Sequence, residues 1–389
     1  MGFDVIVVGA GLWGSACARH LAEMGVKVAL VGPSEPTDAA THRGVFGSHY
    51  DQARITRRMD SRMDWSRFSS ASMARYADVE ALGNRCFFHR AGSVIAGPAQ
   101  GEGSDYTRAT QLNGEKEGID FEVLSGVELN AKFSFFGFPA DIHALFEPDG
   151  GWIDPRAHVA AQIAAGQANG VTLLRTEVSQ VDETSGGVTV TCRDGSKLES
   201  DKVIVAAGAF SRAEGLLPDV PEIAVFARTI ALVEIDAEEQ ARLRDMPSTI
   251  YILPDGVRDI YVLPPVVYPN GKTYIKLGGD PDNKELNSLS EMKDWFRSGG
   301  NADVGAYLLE QLLAVMPGLR YQSLSHGACA TSFTRSRHPL IYGQTDRIFA
   351  LTGGNGAGAK CADEIGRLGA LRVLGQALDG QGYGSSFLP

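Results

Sequence analysis

The first thirty-two residues confine the fold more tightly than any other stretch. Phe3-Asp4-Val5-Ile6-Val7-Val8 reads as a buried strand and Gly9-Ala10-Gly11-Leu12-Trp13-Gly14 as a glycine turn. An Ala-rich helical run to Gly25 follows, then Val26–Val31 as a second buried strand. This is one βαβ unit. Gly9 permits the tight turn off the strand, Gly11 lets backbone approach a pyrophosphate, and Gly14 lets the helix pack close to the sheet. The helix N-terminus then offers free N–H groups and a favourable dipole to an anion. A glycine turn without a ligand is the bland alternative. The strand before it, the helix after it and Gly25 at the C-cap position favour dinucleotide binding. The acidic residue expected at the end of the second strand is absent: Gly32 stands there, leaving Ser34 and Glu35 as candidates for the ribose.

At 389 residues, two domains are expected. Lys and Arg number 36 against 47 Asp and Glu, a net charge of −11, which disfavours nucleic acid and anionic membrane surfaces as partners. No apolar run approaches the roughly 20 residues of a membrane span, and a strand beginning at residue 3 leaves no room for a signal peptide. The five cysteines are scattered, odd in number and lack CxxC spacing. That argues against a disulfide framework or a zinc site, and for a reducing, cytoplasmic setting.

A polar loop, Thr41 to Arg58, follows the βαβ unit. Its basic residues suit contact with an anionic cofactor or substrate, or a plain solvated surface. One helix is expected from Trp65 to Leu82. Residues 86–150 lose the βαβ rhythm and read as the first half of a substrate domain. Val188–Arg193 and Lys197–Leu198, joined by Asp194-Gly195, form a hairpin. Lys202–Phe210 is a buried strand ending in small residues, and residues 224–279 are β-rich with Pro-marked turns. The C-terminal part repeats the opening pattern, with a strand over Arg347–Thr352, the loop Gly353–Lys360, and a helix from Ala362. The tail from Asp379 reads as loosely held. The fold expected is α/β: a discontinuous Rossmann-like nucleotide-binding domain (1–85, 150–215, 325–389) with a mixed or antiparallel-sheet substrate domain (86–149, 216–324).

These residues resemble the D-amino-acid-oxidase-like flavoprotein superfamily, and within it the monomeric sarcosine oxidase and N-methyltryptophan oxidase group. Val7 to Gly14 is similar to its FAD fingerprint, and Gly47-Ser48-His49-Tyr50-Asp51-Gln52-Ala53-Arg54-Ile55-Thr56-Arg57 resembles its Gly-Ser-His…Arg-x-x-Arg loop. The resemblance implies that Arg54 lies over the flavin and that Arg57 binds a substrate carboxylate together with Lys360 of Gly356-Ala357-Gly358-Ala359-Lys360. It implies that Lys276, in Tyr274–Gly278, sits by flavin N5 and promotes oxygen reduction. Cys329, in Gly327–Thr331, would link covalently to the flavin, and Tyr261 would line the pocket. Further cofactor contacts implied are Leu12, Trp13, Ser48, His49, Val178, Ala207, Gly208, Gly354, Asn355, Gly356 and Gly358. His338 falls in register as a framework residue. Two departures bear on the substrate: Asp280 and Tyr50 stand where sarcosine-oxidising members carry histidines.

The chemistry asks for such residues on its own terms. Amine oxidation by a flavin leaves orientation and electrostatics to the protein. Two cations can fix a carboxylate, Arg bidentately, and Lys276 can stabilise charge developing on oxygen. Taken alone, Cys329 reads as a quiet buried residue and Lys276 as a solvated edge residue. The function expected is an FAD-dependent oxidase of a small carboxylate-bearing amine or amino acid, using O2 and releasing hydrogen peroxide, as a monomer or small homo-oligomer. The alternatives are a dehydrogenase that passes electrons to a quinone or protein acceptor, and a flavin-binding protein without turnover.

Overall fold

In the computed structural model, which describes residues 2–389, the chain builds two large sheets and a small one. The first has eight strands. Phe3–Val8 lies between Val28–Val31 and Lys197–Val205, parallel to both, and Thr172–Leu174 extends the edge beyond Val28–Val31. Val5 to Val8 and Val28 to Val31 are all buried, as continuous apolar strands covered on both faces must be. Lys197–Val205 changes partners along its length. Its first half pairs antiparallel with Gly187–Cys192, closing the hairpin over Asp194-Gly195, and its second half runs parallel to Ile348–Thr352.

The second sheet has nine strands, dominated by Ile223–Ile235 and Ser323–Thr334 paired antiparallel from Ile223↔Thr334 to Glu234↔Ser323. The domain boundary expected at residue 325 therefore falls inside a strand of the second sheet, and the chain returns to the first sheet only at Leu340–Gly343. Strand alternation sorts this sheet's side chains. Ile275 and Leu277 join Ile260, Val262, Ala231 and Val233 in a core under the Ala302–Val315 helix. Lys276 and Tyr261, out of phase with them, face the opposite side.

Two expectations are corrected. The single helix over 65–82 is two, Met63–Met73 and Tyr76–Gly83. The break falls at Arg75, whose side chain reaches Asp363 at 2.5 Å and Glu364 at 2.6 Å. The tail is not loose either. Tyr383 and Phe387 pack on Phe68, Phe387 is only 3% exposed, and Ile341 N donates to its carbonyl at 2.8 Å. Local polarity hid a hydrophobic anchor.

Three helices, Leu12–Glu23, Pro155–Ala168 and Ala362–Val373, are locked together by a buried polar network. Asp363 accepts from Arg19 at 2.5 Å and Gln162 at 2.9 Å. Burial alone would raise its carboxyl, but His20, Arg19 and Arg75 hold it well below the usual range. His158, fully buried and stacked on Phe87 at 4.2 Å, is pushed down from 6.5 to about 4 by burial, with Arg19 adding to the effect. The unfolded chain binds this proton more readily, so stability from the neutral imidazole is complete above pH 6.5 and lost as pH falls toward 4. The expected loss is about 3 kcal/mol. Thermal unfolding between about pH 7 and pH 4.5 checks it: His158→Gln should show a shallower acid decline than the parent, and parallel declines would exclude the residue.

Candidate active site

The nucleotide cradle begins where Phe3–Val8 ends. Gly9 sits at φ +113°, and a side chain there would run into the Ala206 carbonyl; one at Gly14 would meet the carbonyl of Gly9. Gly11 starts the Leu12–Glu23 helix with no side-chain cap, so the first-turn N–H groups stay open to an anion. Far along the chain, the strand Ile348–Thr352 runs into a second glycine loop, and Trp13 Nε1 donates to the Gly358 carbonyl at 2.8 Å. The two glycine loops thus touch.

Between them lies a cavity of about 360 Å³. Gly9, Gly11, Leu12 and Trp13 line it from one side, and Gly354, Gly356 and Gly358 from the other. Val178, Ala207 and Gly208 also line it, as do Ser48, Tyr50, Arg54 and Cys329, and His49 lies close to Gly11. Burial brings His49 down to about 3, assisted by Arg156, Arg175 and Arg54, so its imidazole is neutral. Burial, with Glu35 nearby, pushes Tyr50 up to about 12. Arg54 Nη2 donates to the Ser48 carbonyl at 2.9 Å and lies 3.8 Å from Cys329 Sγ.

Several expected residues lie off this lining. Glu35 is on the surface, ion-paired to Arg156 at 2.6 Å, and Ser34 is likewise outside the cavity. Gly32 packs against Ala10, where an added Cβ would come 2.5 Å from the Ala10 nitrogen. Gly14 serves packing beneath the turn. Asn355 is buried and staples the C-terminal loop instead: its Oδ1 accepts from Thr334 N at 3.0 Å and its Nδ2 donates to the Gly353 carbonyl at 2.6 Å. His338 holds the same corner, its carbonyl accepting from Thr334 Oγ1 at 2.7 Å. Asp280 accepts from the Thr229 N–H with both oxygens at 2.9–3.0 Å, a bond to the sheet backbone.

The two lysines are buried behind the lining, each with a carboxylate that the sequence pattern does not single out. Lys276 is 1% exposed. Its Nζ donates to the Ala53 carbonyl at 2.7 Å and pairs with Asp51, which also pairs with Arg54 and accepts from Tyr268 OH at 3.1 Å. Burial pushes the Lys276 ammonium well below the ordinary lysine value and Arg54 adds to this; Asp51 in contact acts the other way. Tyr261 lies beside it, its ring centroid 5.6 Å from Nζ. Lys360 Nζ donates to Asp60 at 2.9 Å, and Arg57 Nη2 lies 3.6 Å from the same oxygen. Asp51 sits next to Tyr50 in the polar loop, but a partner 225 positions away leaves no local signal.

This arrangement fits FAD. Its lining combines an anion cradle with no room for side chains and a cationic, aromatic rim with a free thiol. A family model described as FAD dependent oxidoreductase matches residues 4–372. The chain belongs to that family. Among curated relatives of this FAD-dependent oxidoreductase, monomeric sarcosine oxidase of Bacillus sp. (strain B-0618) is 26% identical over 390 residues, covering 96% of this chain and 93% of the relative. N-methyl-L-tryptophan oxidase of Yersinia pestis (strain Pestoides F) is 24% identical, covering 95% of each. Among solved structures, NikD, an unusual amino acid oxidase essential for nikkomycin biosynthesis, has the same fold at a TM-score of 0.75 and 20% identity, covering 100% of this chain and 97% of that one. Amadoriase I from Aspergillus fumigatus, a fructosyl amine:oxygen oxidoreductase, reaches 0.73 at 19% identity over 96% and 87%.

Proposed function

We propose that the chain oxidises the C–N bond of a small amine, a secondary, N-methyl or cyclic amino acid by preference, with O2 as electron acceptor and hydrogen peroxide as product. Bound FAD would supply the redox chemistry, two-electron oxidation at the carbon beside nitrogen coupled to reduction of O2 to hydrogen peroxide, and water would hydrolyse the resulting imine to a carbonyl compound and an amine. The protein's part is to bind, orient and place charge. Arg54 closes the rim of the cavity, Arg57 and Lys360 offer cations for a carboxylate, and Lys276 puts an ammonium where charge would develop. Cys329 would tether the cofactor. Five free cysteines agree with a reducing compartment.

The observation that carries this reading is the rim itself, where Arg54 and Cys329 meet with Lys276 immediately behind them. Peroxide release from flavin-loaded protein across a panel of N-methyl and cyclic amino acids tests it. Silence across the panel, with flavin fully present, would count against it.

The Asp51 contact favours a second reading. With its charge matched by a carboxylate, Lys276 offers less net positive potential to oxygen, which suits a dehydrogenase serving a quinone or protein acceptor. Reduced protein that is stable in air and reoxidised by a quinone would select that reading.

A further inference from the structure

We infer that Asp60 is a specificity-determining residue: an internal counter-ion that attenuates the anion seat of Arg57 and Lys360, so that a carboxylate ligand is held weakly. This deepens the reading above and rests on it for the role of that seat. Arg57, Asp60 and Lys360 are 7%, 4% and 2% exposed. Asp60 Oδ2 accepts from Lys360 Nζ at 2.9 Å and lies 3.6 Å from Arg57 Nη2. Burial would raise the Asp60 carboxyl, but Lys360 and Arg57 hold it below the ordinary range, so it is a full negative charge. It is fixed in place by accepting from Arg62 N at 3.1 Å.

One donor of the seat is nonetheless left open, just behind the cavity lining. Among the described residues, Arg57 Nε is buried without a partner, and Arg57 Nη2 reaches the Tyr106 hydroxyl at 3.4 Å besides Asp60. Ser69 Oγ, at 3.5 Å, is the other group near Lys360 Nζ. Glu147, the next carboxylate acting on Arg57, spends its oxygens on Arg58 N, Arg58 Nε and Met59 N. A buried guanidinium with an open N–H calls for an acceptor, and a carboxylate arriving there meets Arg57 with Asp60 as a like charge beside it. Lys360 is then shared rather than free. A neutral carboxamide feels no such repulsion.

Calorimetric titration of the flavin-loaded protein with 2-furoate and its neutral twin 2-furamide tests this without reading turnover. Asp60→Asn keeps an acceptor for Arg62 N and removes the charge. It should tighten 2-furoate by about tenfold or more, the scale of one close, partly screened charge, and leave 2-furamide unchanged. Equal or weaker 2-furoate binding in the variant would overturn the inference, as would binding of neither ligand to any form. Should the variant not fold, the parent alone decides: a preference for 2-furoate below about tenfold supports attenuation, and one near a hundredfold, expected of two open cations, overturns it. Amine turnover does not enter, so a failure here leaves the proposed reaction standing, and an amine panel that fails leaves this result standing.

Discussion

Replacing Lys276 with methionine is expected to slow the reaction of the reduced protein with oxygen by about a hundredfold, the scale of losing one preorganised donor at a developing charge. Reduction by amine under anaerobic conditions should change far less. Stopped-flow mixing of anaerobically reduced protein with oxygenated buffer reads the step directly, and a rate equal to the parent's would remove Lys276 from the role. Methionine preserves the buried volume, and Asp51 keeps Arg54 and Tyr268 as partners. Asp51→Asn separates the two readings of the site. In an oxidase already reacting with oxygen it should bring a modest gain; in a dehydrogenase inert to air it should confer reactivity the parent lacks.

The second large effect concerns the tether. Acid precipitation of the purified parent should leave all the yellow colour in the pellet, and Cys329→Ser should release it to the supernatant. Cys329 lies on a strand whose backbone is fixed along its length by pairing with Ile223–Ile235, while its carbonyl accepts from Trp295 Nε1 at 2.7 Å. Cys329 lines the cavity, with the Arg54 guanidinium 3.8 Å from its sulfur. Serine keeps the size and the strand but forms no thioether. Colour in the supernatant from the parent itself would sink the covalent reading.

What the sequence discloses follows the range of the interactions involved. The opening βαβ unit is legible because strand, turn and helix each carry a local period, and Gly9 and Gly14 announce backbone contacts within one motif. The Trp65–Leu82 run conceals its break because that break depends on Arg75 reaching Asp363, which no local pattern records. Asp51 and Asp60 are single polar residues in a polar stretch; only folding brings them to Lys276 and Lys360, 225 and 300 positions away. The tail conceals its anchor for a similar reason, since Phe387 finds its pocket beside Phe68.

The bond from Trp13 to Gly358 spans 345 residues. The pyrophosphate turn is synthesised first, and the loop that completes the cradle follows only hundreds of residues later. Until then the first glycine loop has only half a container. A nucleotide cofactor therefore meets a complete cradle only once both segments have folded against each other.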